Sequence, residues 1–358
     1  MDKQSPLPIP GPIALFGSGE TAPSGKKIFD FLFNKLPIAP QVSILETPAG
    51  FELNSERVAG NVAEFLQDHL KNYKPQIELI PARKKGTGFS PDNPIIAKPI
   101  LESDLIFMGP GSPTYAVRQL EDSLTWEYLL ARHRLGAGLA LSSATTVAIS
   151  TSALPVYEIY KVGQDIHWQP GLDFFAPYQL SLVFIPHWNN QDGGTELDTS
   201  RCYMGKSRFD SLAKMLPGDQ TVIGIDEHTG LILDFADCCF HVIGSGNITI
   251  LSAESEIVHE SGSSVELEEL GDFILPDPQT GISLSSWQAA IECQVQAANN
   301  RIPPQKVVSL AEKRQQARQE KSWQVADDLR TKIEGEGWIV HDKADGFELK
   351  KAKTPERS

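Results

Sequence analysis

Ser142 and Ser143 stand between an apolar run beginning at Gly138, G-L-A-L, and a segment, A-T-T-V-A-I, that reads as a short helix. A serine at a strand-to-helix turn exposes its hydroxyl and sets the next backbone N–H, here that of Ala144, where an oxyanion can be stabilised. Ser143 is placed to be such a nucleophile. Ser142 competes for the position, and capping of the helix by the two serines is the plainer alternative. The usual elbow carries glycine two residues either side of the nucleophile, whereas Leu141 and Thr145 stand there. A second turn, G-P-G-S-P at 109–113, offers the N–H groups of Gly111 and Ser112 as the other half of an oxyanion hole.

A hydrolytic serine needs a base. His187 follows an apolar run ending F-I-P and opens the polar loop H-W-N-N-Q-D-G-G, so it can face Ser143 from another strand end. Glu158, in P-V-Y-E-I-Y between the serine and the histidine, is the candidate to orient the imidazole, with a solvated position as its alternative. Asn189 and Asn190 are candidate substrate contacts. Arg201 and Arg208 are candidate clamps for a substrate carboxylate, unless they pair with Asp198 or Asp210 on the surface. G-S-G-E at 17–20 lacks the spacing of a dinucleotide fingerprint, and there is no phosphate-binding G-x-x-x-x-G-K-[ST]. The four cysteines, Cys202, Cys238, Cys239 and Cys293, show no CxxC pairing and read as reduced thiols. Neither a metal nor a cofactor is expected.

These residues need strands to carry them. Short runs rich in Ile, Leu and Val occur at 13–16, 41–45, 76–80 and 104–108, with a fifth from Gly138. Helical patterns lie between, clearest at 54–72, where Val58, Val62, Phe65, Leu66 and Leu70 share one face. This alternation predicts a doubly wound α/β domain with a mostly parallel sheet, ligands lying beyond the carboxyl ends of the strands. From about residue 177 the pattern becomes β-rich, with runs at 180–186, 221–226, 231–234 and then up to 251, a helix at 207–215, and turns at 227–230 and 244–247 that read as hairpins. A helix is expected at 284–299.

The chain has 358 residues, 41% of them hydrophobic, enough for one large core and an appendage. Its net charge of −14 argues against a surface that binds polyanions throughout. The charge is uneven: residues 306–358 hold 12 Lys or Arg against 10 Asp or Glu, a net of +2, leaving −16 for the first 305. Composition divides the chain into a main domain at 1–298, a linker at 299–308 around N-N-R-I-P-P-Q-K, and a small domain at 309–358. The proline-broken N-terminus and the lack of any apolar run long enough to span a bilayer lead to the expectation of a cytoplasmic protein with no membrane partner. Self-association into a homo-oligomer is left open.

Taken in order, A-L-F-G-S-G-E, F-M-G-P-G-S-P, L-S-S-A-T-T, I-P-H-W-N-N and I-G-I-D-E-H-T-G-L resemble the cyanophycinase and dipeptidase E family of serine peptidases, which has a class I glutamine amidotransferase-like fold. The resemblance spans about residues 10–251. It implies a nucleophile at Ser143, a base at His187, an oxyanion turn at Gly109 to Ser112 and an acid at Glu158, acting on a peptide or small amide. The family's G-x-S-A-G-A has become L-S-S-A-T-T, and the acid and arginine positions are unlike those of the characterised members, so specificity for aspartyl peptides does not carry over. Residues 311–349 are similar instead to the C-terminal end of cysteinyl-tRNA synthetases, with R-x-x-A-R-x-x-K-x-W-x-x-A-D-x-L-R followed by G-W-x-V-x-D-x-x-x-G. That similarity implies two short helices around Trp323 and Leu329, read first as a docking module, with tRNA as a partner of the tail as the alternative. The synthetase's catalytic motifs are absent. Serine hydrolase is the leading expectation, with an inactive ligand- or partner-binding scaffold and a tRNA-associated binding protein as alternatives.

Overall fold

The computed structural model describes residues 8–252, 255–301, 303–343 and 346–351. The N-terminus through Leu7 and residues 352–358 of the expected tail domain lie outside the described residues. The chain divides into two compact units, Met1–Ala290 and Ile291–Ser358.

In the first unit the five expected strands form the parallel part of an eight-stranded sheet: β1 (Ile13–Phe16), β2 (Gln41–Leu45), β3 (Gln76–Ile80), β4 (Leu105–Met108) and β5 (Gly138–Ser142). Two two-residue strands, β6 (Ser152–Ala153) and β7 (Gln169–Pro170), pair with each other. The β-rich half supplies β8 (Leu182–Ile185), β9 (Thr221–Ile225), β10 (Thr229–Asp234), β11 (Cys239–Gly244), β12 (Asn247–Leu251), β13 (Glu256–Glu260) and β14 (Ser264–Glu266). The main sheet runs β14-β11-β10-β1-β5-β4-β2-β3, with β10, β11 and β14 joined antiparallel, and β13-β12-β9-β8 form a second sheet.

Two expectations change here. The turns at 227–230 and 244–247 are not hairpins: β9 pairs with β8 and β12, whereas β10 pairs with β1 and β11. Each turn passes the chain from one sheet to the other. At the second, Gly244 has φ 143°, and a Cβ there would lie 2.3 Å from the carbonyl oxygen of His228, so only glycine fits where the turns meet.

The period of two along each strand accounts for the layering. Ile13 and Leu15, Ile106 and Met108, and Leu139 and Leu141 point into a core shared with Leu182, Phe184, Ile223 and Ile225 of the second sheet. The intervening Ala14, Phe16, Leu105, Phe107 and Ala140 face the opposite way, against α1 (Pro23–Asn34) and α2 (Ser55–His69). In α2 the expected stripe is buried at Val62, Phe65 and Leu66, and Leu70 just beyond it is buried too. Burying each such large apolar side chain contributes about 1.5–3 kcal/mol. Val183 and Ile185 look outward from the second sheet to a third cluster with Val147, Trp188, Phe209 and Leu212. Helices α3 (Pro94–Ala97), α4 (Pro113–Leu120), α5 (Leu124–Arg134), α6 (Ala144–Ala148), α7 (Val156–Tyr160) and α8 (Lys206–Ala213) fill the connections, and α9 (Leu284–Arg301) crosses the division between the units. The segment whose composition reads as a linker, 299–308, is helical through Arg301 and again from Gln305.

The second unit contains α10 (Gln305–Gln319), α11 (Trp323–Gly335) and a hairpin of β15 (Trp338–Lys343) and β16 (Gly346–Lys351). Its core is Val307, Ala311, Ile333, Trp338 and Val340. Trp323, expected inside, is 56% exposed, and the apolar stripe of α11 continues through Ala326 to Ile333 instead. Two short helices bury too little surface alone, and the hairpin supplies the missing face. Arg314, itself buried, forms a two-pronged ion pair with Asp342 on the hairpin at 2.6 and 3.1 Å, which holds the Asp342 carboxyl below its ordinary range. Among the described residues, no helix is long and apolar enough to cross a membrane.

Candidate active site

β5 ends at Ser142, and α6 begins at Ala144. Ser143 between them has φ 52° and ψ −105°, a backbone state costly for any residue with a Cβ. Its hydroxyl makes no capping bond to α6. It lies 3.1 Å from Nε2 of His187. Ser142 points elsewhere: its hydroxyl donates to Oε2 of Glu20 at 2.8 Å.

The missing elbow glycines are explained by two buried threonines. Thr145 Oγ1 donates to the carbonyl of Met108 at the end of β4 (2.6 Å) and accepts the N–H of Ser142 (3.1 Å). Thr146 Oγ1 donates to the carbonyl of Leu141 at 2.9 Å, with that of Phe16 on β1 at 3.2 Å. Hydroxyls thus fasten the turn to both neighbouring strands, where a glycine would leave close backbone contact.

His187 also has positive φ, 53°, and its own N–H donates to the carbonyl of Gly17 at 3.1 Å. Nδ1 of its ring lies 2.9 Å from Oε1 of Glu227. The carboxylate that reaches the imidazole is Glu227 and not the expected Glu158, which accepts from Thr114 Oγ1 at 2.6 Å and braces α7 against the start of α4. The two asparagines turn out to serve this acid as well. Asn190, buried, donates Nδ2–H to Glu227 Oε1 at 2.9 Å, and Asn189 Oδ1 accepts the Glu227 N–H at 2.8 Å. The hydrogen bond from His187, aided by that from Asn190, holds the Glu227 carboxyl below its ordinary range against the opposing effect of burial.

Of the oxyanion candidates, Gly111 and Ala144 line the cavity, and neither backbone N–H has a hydrogen-bond partner among the described residues. Ser112 drops out. Its N–H donates to the carbonyl of Pro48 at 3.0 Å, and its hydroxyl caps α4 by accepting the Tyr115 N–H. Gly111 has φ 152° and sits so close to Pro48 that a Cβ would lie 2.0 Å from that carbonyl oxygen. The two arginines do not reach the cavity. Arg201 lies over the Trp188 ring, 3.7 Å from its centroid, and donates to the Trp188 carbonyl, while Arg208 is exposed on α8.

The cavity beside Ser143 and His187 has a volume of about 390 Å³. Val147, Val156, Tyr157, Tyr160 and Tyr203 supply apolar and aromatic wall, and Lys161 and Asp192 its charges. Tyr203 ends a left-handed turn of three residues, Arg201, Cys202 and Tyr203, with φ of 57°, 57° and 68°. That turn aims the Tyr203 hydroxyl at Asp192 (3.0 Å) and brings its ring within 5.8 Å of the His187 ring. Burial pushes the Cys202 thiol up to about 12, so it stays protonated and packs as an apolar group.

Sequence reasoning missed Glu227 because it lies in a turn taken for a hairpin and comes after the histidine in the chain. Its position directly past the apolar run 221–226 is the signal that would have found it, since that run ends at the same edge as His187.

No family model and no curated protein matches this chain. The likeness of 311–349 to a synthetase C-terminus therefore gains no support. Among solved structures, the chain is similar to a peptidase from an acI-B1 Actinobacterium, with TM-score 0.58 and 21% identity over 72% of this chain and 97% of that one. A putative Peptidase E protein from Listeria monocytogenes EGD-e aligns at TM-score 0.42 and 12% identity, over 70% and 98%. The first likeness shows a shared mixed α/β fold, which fits the fold implied by the motifs between residues 10 and 251.

Proposed function

We propose that this protein is a serine hydrolase that cleaves a peptide or small amide bond. The observation that carries the reading is the unbroken chain Ser143 Oγ, His187 Nε2, His187 Nδ1, Glu227 Oε1, beginning at a backbone-strained elbow. With Glu227 ionised, the proton on the imidazole stays at Nδ1, leaving the Nε2 lone pair toward Ser143. His187 takes the serine proton as Oγ attacks the carbonyl carbon. The N–H groups of Gly111 and Ala144 receive the oxyanion, and His187 returns the proton to the leaving nitrogen. A water molecule then repeats the sequence on the acyl-enzyme, releasing the acid and restoring Ser143. The tyrosine-lined wall receives the substrate group next to the scissile bond, and Lys161, its Nζ 5.3 Å from the centroid of the Tyr160 ring, supplies a cation beside it. The test is incubation with a fluorophosphonate probe, mass spectrometry of the labelled peptide, and amide turnover beside Ser143→Ala. Labelling at Ser143 is expected, with turnover falling by about 10⁶-fold in the variant. Labelling at Ser142, or undiminished turnover in the variant, refutes the mechanism.

A further inference from the structure

The turn G-S-G-E at 17–20 has no part in the chemistry above, yet it touches all three segments that carry the catalytic groups. Gly17 accepts the backbone N–H of His187 at 3.1 Å. Ser18 Oγ accepts the N–H of His228, the neighbour of Glu227, at 3.0 Å. Glu20 accepts the hydroxyl of Ser142, the neighbour of Ser143, at 2.8 Å. The approach excludes a side chain at Gly17, where a Cβ would lie 2.0 Å from the Asp226 carbonyl oxygen, and Gly19 has φ 75°, a left-handed state that favours glycine.

We infer that this turn is a clamp that sets the register of the nucleophile, base and acid, and that Glu20 is its positioning residue for Ser143; the inference rests on the hydrolase reading. Two adjacent serines at an elbow present a choice of hydroxyl. Glu20 settles it by holding the fully buried Ser142 hydroxyl with a carboxylate, a stronger acceptor than a neutral group. Ser142, the residue before the nucleophile, is then fixed at its side chain by Glu20 and at its backbone by Thr145, which accepts the Ser142 N–H. With Glu20 gone, the Ser142 hydroxyl is free to rotate, and the elbow loses the contact that keeps Ser143 Oγ within reach of His187 Nε2.

The experiment measures the second-order rate of fluorophosphonate labelling in the full chain and in Glu20→Ala, Glu20→Gln, Ser142→Ala and the Glu20→Ala/Ser142→Ala double variant. Ring ¹⁵N shifts of His187 are recorded in each, assigned with His187→Gln. Glu20→Ala and Ser142→Ala should each slow labelling about tenfold or more, because a small misplacement of a reacting atom is costly. Glu20→Gln, which keeps an acceptor oxygen, should restore most of the rate, and the double variant should be no slower than the single variants, as members of one contact are not additive. The His187 ring shifts should move in both alanine variants and return in Glu20→Gln. An unlabelled wild-type protein would overturn the hydrolase reading, and the ring shifts still decide the clamp. Unmoved shifts in Glu20→Ala, or labelling losses that multiply in the double variant, overturn the clamp.

Discussion

Thr145 occupies a position where an elbow of this type normally has glycine, and its replacement tests whether hydroxyl bonds do the work that close packing does elsewhere. Thr145→Val keeps the shape and removes the donor to Met108 and the acceptor for the Ser142 N–H, at 2.6 and 3.1 Å. Both Thr145 and Ser142 are fully buried, so water cannot replace either bond. Two lost bonds, with their partners left unsatisfied, cost about 2–4 kcal/mol. The new methyl would also press on the Met108 carbonyl. For the unit Met1–Ala290 the unfolding entropy is about 0.6 kcal/mol/K, so the melting temperature should fall by about 3–7 °C. Thr145→Ser keeps the hydroxyl and loses one methyl, about 1 kcal/mol, and should fall by about 2 °C. Thr145→Gly loses both bonds and adds backbone freedom, so it should be no more stable than the valine variant. Scanning calorimetry of the full chain, following the transition of the large unit, gives the order wild type, serine, then valine and glycine. A glycine variant more stable than the serine one would show that the threonines merely fill space, and the account of the elbow would fail.

Glu227→Gln should lower amide turnover by about 10⁴-fold through loss of the imidazole's orientation. It should also change the pH dependence of stability: because the Glu227 carboxyl is held below its ordinary 4.5, its contribution is complete above that pH and is lost as pH falls through the lower folded value. The wild type should therefore melt above the variant near neutrality and converge with it in acid; a gap that widens below pH 4.5 would contradict the assignment. Gly111→Ala, which drives a Cβ toward the Pro48 carbonyl, should cut kcat by about 10²-fold with KM little changed. A raised KM at constant kcat would remove Gly111 from the oxyanion hole.

The parallel half of the fold was legible because its strands are short apolar runs separated by amphipathic helices; the runs at 13–16, 41–45 and 76–80 match β1, β2 and β3. The β-rich half was harder. Short turns such as E-H-T-G have the residues of a hairpin, and nothing local says that the next strand will join another sheet. That same ambiguity hid Glu227, while Ser143 and His187 stood out because each directly follows an apolar run. Asn189 and Asn190 read as substrate contacts and the Ser112 N–H as an oxyanion donor, but their partners, Glu227 and Pro48, are far from them in sequence. Trp323 was drawn inward by its size, and the hairpin that replaces it in the tail core left a weaker pattern.

Ser143 directly follows a strand of the first sheet, His187 follows a strand of the second, and Glu227 lies where the chain passes between them. The hydrogen-bonded triad is thus a seam stitched across two sheets, intact only while the core between them keeps its alignment. A slip of one sheet against the other by the width of a hydrogen bond would part Ser143 from His187 while leaving both sheets folded. In the proposed hydrolase, turnover would therefore gauge sheet alignment, and it should fail on heating or in denaturant before any loss of secondary structure can be seen.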